Sequence, residues 1–258
     1  MAYNCVSSRP EKLVRGPLLG AALLAALTFG GCGPPPLDDA TRRELYSREG
    51  ETFGSALLWK PAGDESSGVV FDLAPLLLQE SDSPDPSGAP EVLATESTSE
   101  VRGGSCPQLT YSWRYPASVQ GVRMTLGADG FPAIFEVFGD SSGARVIFVA
   151  SSLEEAASAE FGDPLPGRRF AIERPTAETP GVVVAGTLEP GPAPLGPFVY
   201  LSAGEHDVIA LICRCMPSRV EIVLDSAEYP LATSGEGPPA EGFGPEELLR
   251  LPSAFGCS

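Results

Sequence analysis

Between Gln108 and Tyr115 the chain alternates strictly: Leu109, Tyr111, Trp113 and Tyr115 against Gln108, Thr110, Ser112 and Arg114. A two-residue period sends successive side chains to opposite faces of a strand, so one face here is apolar and buried. The next runs are similar in kind. Val119 to Leu126 and Ala133 to Phe138 flank Gly127-Ala128-Asp129-Gly130-Phe131-Pro132, and Gly139-Asp140-Ser141-Ser142-Gly143 leads into Arg145 to Ala150. Short Gly-bearing connections between β-rich runs predict hairpins in chain order, an antiparallel meander.

One segment reads as a helix at every level. Over Ser152 to Phe161, Leu153, Ala156, Ala157 and Phe161 share a face, and Gly162 and Pro164 supply a stop. Ser151 or Ser152, with Glu154 or Glu155 three residues on, has the pattern of a capping box. Further apolar runs follow at Phe170 to Glu173, Gly181 to Leu188, Pro197 to Ser202, Val208 to Cys215 and Arg219 to Leu224. The expected fold class is α+β, mostly β: an antiparallel meander sheet with one well-defined helix.

Composition shifts divide the chain. Residues 105–233 carry the β-rich core domain. Residues 51–80 hold two apolar stretches, of which Val69 to Leu78 begins with the alternation of a strand. Residues 81–104 are rich in Ser, Pro, Gly and acids, too thin in apolar side chains to offset ordering entropy, and read as a disordered acidic linker. Residues 234–258 read as a flexible tail with a short helix opening at Pro245 and ending near Cys257.

The N-terminal region has its own pattern. Arg9, Lys12 and Arg15 stand against Glu11, and Pro17 to Leu27 is an unbroken run of apolar and small residues, the layout of an export signal. As a helix the run spans roughly 16 Å, about half of a hydrocarbon core. It ends at Thr28-Phe29-Gly30-Gly31-Cys32, which resembles the lipobox of bacterial lipoprotein precursors, with Phe29 where that family usually has an aliphatic residue. The resemblance covers about the first 33 residues. It implies removal of residues 1–31 as signal peptide, acylation of Cys32, and a partnership with the lipid bilayer through that residue. Residues 32–50 then form the anchor and tether, with Pro34-Pro35-Pro36 as a stiff spacer. Gly33, rather than Asp, directly after the cysteine favours the outer membrane within the bacterial cell envelope.

Export places the remaining cysteines, Cys106, Cys213, Cys215 and Cys257, in an oxidising compartment, so disulfides are expected. Residues two apart on a strand are near the long limit for a bridge. Cys213 and Cys215 are therefore expected to reach distant partners, one Cys106 and the other Cys257. Structural zinc usually takes C-x-x-C spacing, and no metal or cofactor is expected.

The formal charge is −17, and basic residues form only the pairs Arg42-Arg43 and Arg168-Arg169. Nucleic-acid binding, which needs cations to displace counterions from phosphate, is thereby excluded. His206 is the sole histidine, in Gly204-Glu205-His206-Asp207, so a histidine-dependent hydrolase must run through it; it is the candidate catalytic residue. No nucleophile elbow, calcium loop, zinc-protease helix or dinucleotide fingerprint accompanies it. Tyr111, Trp113 and Tyr115 are candidate ligand-binding residues, because such rings stack on sugars and carry polar tips; core packing is their competing role. The leading expectation is a non-catalytic envelope lipoprotein with a binding or structural role and an envelope protein or glycan as partner. The alternative is an envelope hydrolase relying on His206.

Overall fold

The computed structural model describes residues 56–63, 68–80, 90–115, 118–139, 145–179, 181–202, 206–212, 226–233 and 244–257. Among them are eleven strands: β1 Ala56–Ala62, β2 Leu76–Glu80, β3 Glu91–Val101, β4 Gly104–Tyr115, β5 Ser118–Leu126, β6 Pro132–Phe138, β7 Arg145–Ala150, β8 Val182–Leu188, β9 Phe198–Leu201, β10 Val208–Ile212 and β11 Ser226–Thr233. Three helices accompany them: α1 Gly68–Asp72, α2 Ser151–Phe161 and α3 Pro245–Leu248.

The alternation in β4 sets the interior. Leu109, Tyr111 and Trp113 are buried, and β4 is paired along its length with β3 on one side and β5 on the other. From β3 to β7 the sheet is an antiparallel meander. Beyond it the expected topology is corrected. The order is β10-β9-β2-β1-β11-β3-β4-β5-β6-β7-β8, and β1–β11, β11–β3, β2–β9 and β7–β8 are parallel. Parallel partners need long connections, so no turn signal announces them. Every strand contributes to one buried cluster running from Trp59 of β1 through Tyr111 and Phe148 to Tyr229 of β11. A sheet whose strands all share one interior has curled on itself, and this one forms a nearly closed mixed barrel with β8 and β10 at its two edges.

Two side-chain bonds cross that interior. The Tyr111 hydroxyl donates to the Val70 carbonyl at 2.6 Å, and the Tyr229 hydroxyl to that of Pro75 at 2.7 Å. Both tie the barrel wall to the segment around α1, which closes one end with Leu73 and Ala74. The alternation over Val69 to Leu73 thus belongs to a short helix, and the strand of that region begins only at Leu76. Short apolar runs fit either state.

The outer face of β6 to β8 is also apolar. Ile134, Ile147, Val149, Val182 and Val184 pack with Leu153 and Ala157 of α2, and with Leu248, Leu249, Leu251 and Phe255. The chain end is therefore a strap on the barrel from residue 244 onward, a correction to the flexible tail. Cys106 is bonded to Cys257, with Cα atoms 5.0 Å apart. The Arg102 guanidinium donates to the Pro252 carbonyl at 2.7 Å and to that of Leu251, and Glu160 Oε2 accepts from Ser253 N–H at 2.6 Å and its hydroxyl at 2.7 Å.

Those bonds from Ser253 hold the Glu160 carboxyl below the usual carboxylate range. A depressed acid contributes stability while ionised and loses it as pH falls through its folded-state pKa. Protection of the Ser253 amide against exchange, followed by NMR and corrected for the intrinsic pH dependence of exchange, should fall as pH drops below about 4. Glu160→Gln should remove that acid step while leaving exchange at other strap amides alone.

Residues 91–104 correct the linker expectation, since β3 pairs with β4 over its whole length. Val92, Ala94 and Val101 supply the buried contacts, and the β4 backbone satisfies the rest. Residues 81–89 lie outside the described residues. The stretch Phe170 to Glu173 is a turn, bridged only at Glu173 to Leu249. In α2 the N-cap position is Ala150, with no side-chain cap bond. The carboxylate of Glu154 instead accepts the Ala171 and Ile172 amides at 2.7 and 3.2 Å.

Candidate functional site

At the end of the barrel away from α1, inward-facing polar groups follow one another from strand to strand. Trp59 Nε1 donates to Gln79 Oε1 at 3.2 Å. Gln79 on β2 is in register with Leu201 on β9, which pairs with Val208 on β10. The residue before Val208 is Asp207, whose Oδ1 accepts from Gln120 Nε2 of β5 at 2.7 Å. Gln120 in turn stands opposite Trp113 of β4. Two indoles, two primary amides and one carboxylate, from five places in the sequence, thus form two hydrogen-bonded pairs, Trp59–Gln79 and Gln120–Asp207, with Trp113 opposite Gln120. The alternation of β1, β2, β4 and β5 turns Trp59, Gln79, Trp113 and Gln120 to the same face as Leu77, Tyr111 and Val122 of the interior.

Of the predicted aromatic residues, Tyr111 and Trp113 are fully buried within the barrel. Burial pushes the Tyr111 phenol far above its ordinary pKa, assisted by Glu96 and Asp72, so it stays a hydrogen-bond donor to Val70. Trp113 differs from Trp59, because its indole N–H is buried without a hydrogen-bond partner. Tyr115 closes β4, and its side chain lies outside the description.

His206 enters β10 with φ of 60°, in the left-handed region that non-glycine residues seldom occupy. Its neighbour Asp207 accepts the Gln120 amide, and the Asp207 carbonyl accepts Ser202 N–H at 2.9 Å. Trp113 and His206, 93 positions apart in the chain, are brought to the same end of the barrel through Gln120 and Asp207.

The cysteine connectivity expected above is corrected. Cys106 and Cys257 bond to each other, because the strap carries the chain end back to the start of β4. Cys213, Cys215 and Cys32 lie outside the described residues. Among the described residues no three His, Cys, Asp or Glu side chains gather closely enough to hold a metal ion.

Charged groups that single-strand reading passed over occupy the outside of the sheet. Glu136 of β6 meets Arg123 of β5 at 3.1 Å and Arg145 of β7 at 3.3 Å. Burial raises the Glu136 carboxyl above the usual range, and the two guanidiniums pull the other way. Their parity on adjacent strands was the available signal. Glu173 accepts the Arg169 and Phe170 amides at 2.7 and 2.9 Å, beside Arg168 at 3.7 Å. These carboxylates hold backbone in place. Near α1, Phe131, Pro132, Phe135, Leu188, Pro190 and Leu195 border a solvent-open pocket.

Comparison with protein-family models, with curated proteins and with solved structures gave no match.

Proposed function

We propose that the protein is a bacterial envelope lipoprotein, held at a membrane through acylated Cys32, whose β-barrel body has a non-catalytic binding or structural role. The observation that carries this reading is the pair Gly30-Gly31 directly ahead of Cys32, behind the short apolar run Pro17 to Leu27. An acidic body braced by a disulfide of sequence separation 151 suits an oxidising space outside the cytoplasm. Gly33 favours the outer membrane, and the net charge of −17 points to protein or neutral glycan partners rather than nucleic acid.

The test is fractionation of cells expressing the wild type and Cys32→Ala. Wild type should sediment with membranes and extract into detergent, whereas Cys32→Ala should lose the lipid mass and leave the outer-membrane fraction. Equal distribution of the two proteins would overturn the anchor.

A further inference from the structure

We infer that the open pocket beside α1 is a docking site for a basic segment of another envelope protein, which seats one Phe or Leu side chain in the pocket and sets its cations against the carboxylates that flank it. This names the partner of the binding role proposed above and rests on that reading.

The first observation is what the pocket is made of. Phe135 of β6, Ala150 of β7 and Leu188 of β8 are buried beneath it. Its walls come from two connections, with Phe131 from the β5–β6 turn and Pro190, Leu195 and Pro197 from the β8–β9 loop. Rings of Phe and Pro offer flat apolar surface, and an apolar side chain gains by leaving water for it. Peptide grooves built on aromatic and proline surface work in this way.

The second observation is that both walls are fixed. Phe131 N–H donates to Asp129 Oδ1 at 3.0 Å, and the Phe131 carbonyl accepts Gly127 N–H at 2.9 Å. In the loop, Gly196 N–H donates to the Asp72 carbonyl at 3.0 Å, and Leu76 N–H to that of Pro197 at 2.9 Å. Gly196 lies so close to α1 that a Cβ there would strike the Leu73 and Ala74 carbonyl oxygens. Pro190, Pro192 and Pro194 fix φ along the exposed part of the loop. A ligand therefore meets a site whose ordering cost is already met by folding.

The third observation is the charge around it. Asp129 sits two residues before Phe131, and Asp72 ends α1 where Gly196 is bonded. Both are exposed, and among the described residues neither side chain is in an ion pair. The pocket lining contains no Lys or Arg. Two uncompensated carboxylates on a chain of charge −17 attract cations and oppose both an anionic lipid surface and a second copy of this chain. The complementary occupant is a peptide with an apolar anchor between basic residues.

The experiment uses full-length acylated protein in phosphatidylcholine nanodiscs, titrated with the peptide Arg-Gly-Phe-Gly-Arg blocked at both ends and followed by amide NMR. The Phe131, Ala193 and Leu195 amides should shift and saturate. Replacing the peptide's Phe by Ala should weaken binding about tenfold, and replacing both Arg by Glu should abolish it. Phe131→Ala should lose about tenfold in affinity. Asp129→Asn, at an exposed position that leaves the walls in place, should weaken binding about two- to threefold at low salt and not at about 1 M salt. No shift at millimolar wild-type peptide, shifts confined to residues outside the pocket, or equal binding of the Glu peptide would overturn the site. The same amides shifting without peptide when phosphatidylglycerol is added to the disc would assign the pocket to lipid and overturn it too. None of these results bears on membrane attachment, which the Cys32→Ala fractionation reads separately.

Discussion

Cys257→Ser is expected to lower the unfolding free energy by about 4–5 kcal/mol. The bond joins positions 151 residues apart, so in the unfolded chain it closes a loop that takes in β4 to β11. Closing so long a loop removes more denatured-state entropy than a short one, though the dependence is logarithmic. In the folded state the same bond fixes the strap whose Leu248, Leu249, Leu251 and Phe255 cover the outer faces of β6 to β8. Urea unfolding of wild type and Cys257→Ser, with and without reductant, measures the loss. The variant should match the reduced wild type. A difference below about 1 kcal/mol between oxidised and reduced wild type would mean that Arg102, Glu160 and packing hold the strap unaided.

Gly121→Val should be damaging for a different reason. Gly121 sits in β5 opposite Phe138, and a Cβ placed there would lie 2.3 Å from the Tyr111 carbonyl oxygen and 2.2 Å from Phe138 Cζ. The phenyl ring has some freedom to move. The carbonyl belongs to the ladder of β4 and has none, so the strand pairing itself must open. Overpacking of this kind costs about 3 kcal/mol or more, and a β-branched residue adds bulk on the crowded face. Thermal unfolding should show a fall of roughly 6–12 °C or more, at about 2–4 °C per kcal/mol for a chain of this size. A midpoint within a few degrees of wild type would contradict the packing described between β4, β5 and β6.

Local patterning and long-range pairing differ in how far they can be read from the residues. β4 was legible because its alternation is strict, and β5 to β7 because short Gly-bearing turns join them. The α2 helix runs Ser151–Phe161, one residue longer than its periodicity implied. β3 was missed because its Thr, Ser and Glu side chains resemble a disordered acidic stretch; only its fit beside β4 makes it a strand. β11 was missed as well, since Ser226 to Thr233 contains Pro230 and buries Tyr229 as its one fully enclosed side chain. Its place between β1 and β3 depends on two parallel pairings that no local signal encodes.

The same limit applies to the candidate site. Trp113 stood out from composition and period, and His206 from its singularity. Gln79, Gln120 and Trp59 carried no signal of their own, since an inward amide at a strand end looks like any surface glutamine until the barrel curls. The bond from Gln120 to Asp207 spans 87 positions, which only the three-dimensional path makes short.

The most direct measurement is peptide-level mass spectrometry, without reduction, on protein purified from its native membrane. It should give a first residue Cys32 carrying acyl-glyceride mass, no peptide from residues 1–31, and one cross-linked peptide pair containing Cys106 and Cys257. A chain that begins at Met1 with Cys32 unmodified, recovered from the soluble cell interior, would contradict the account.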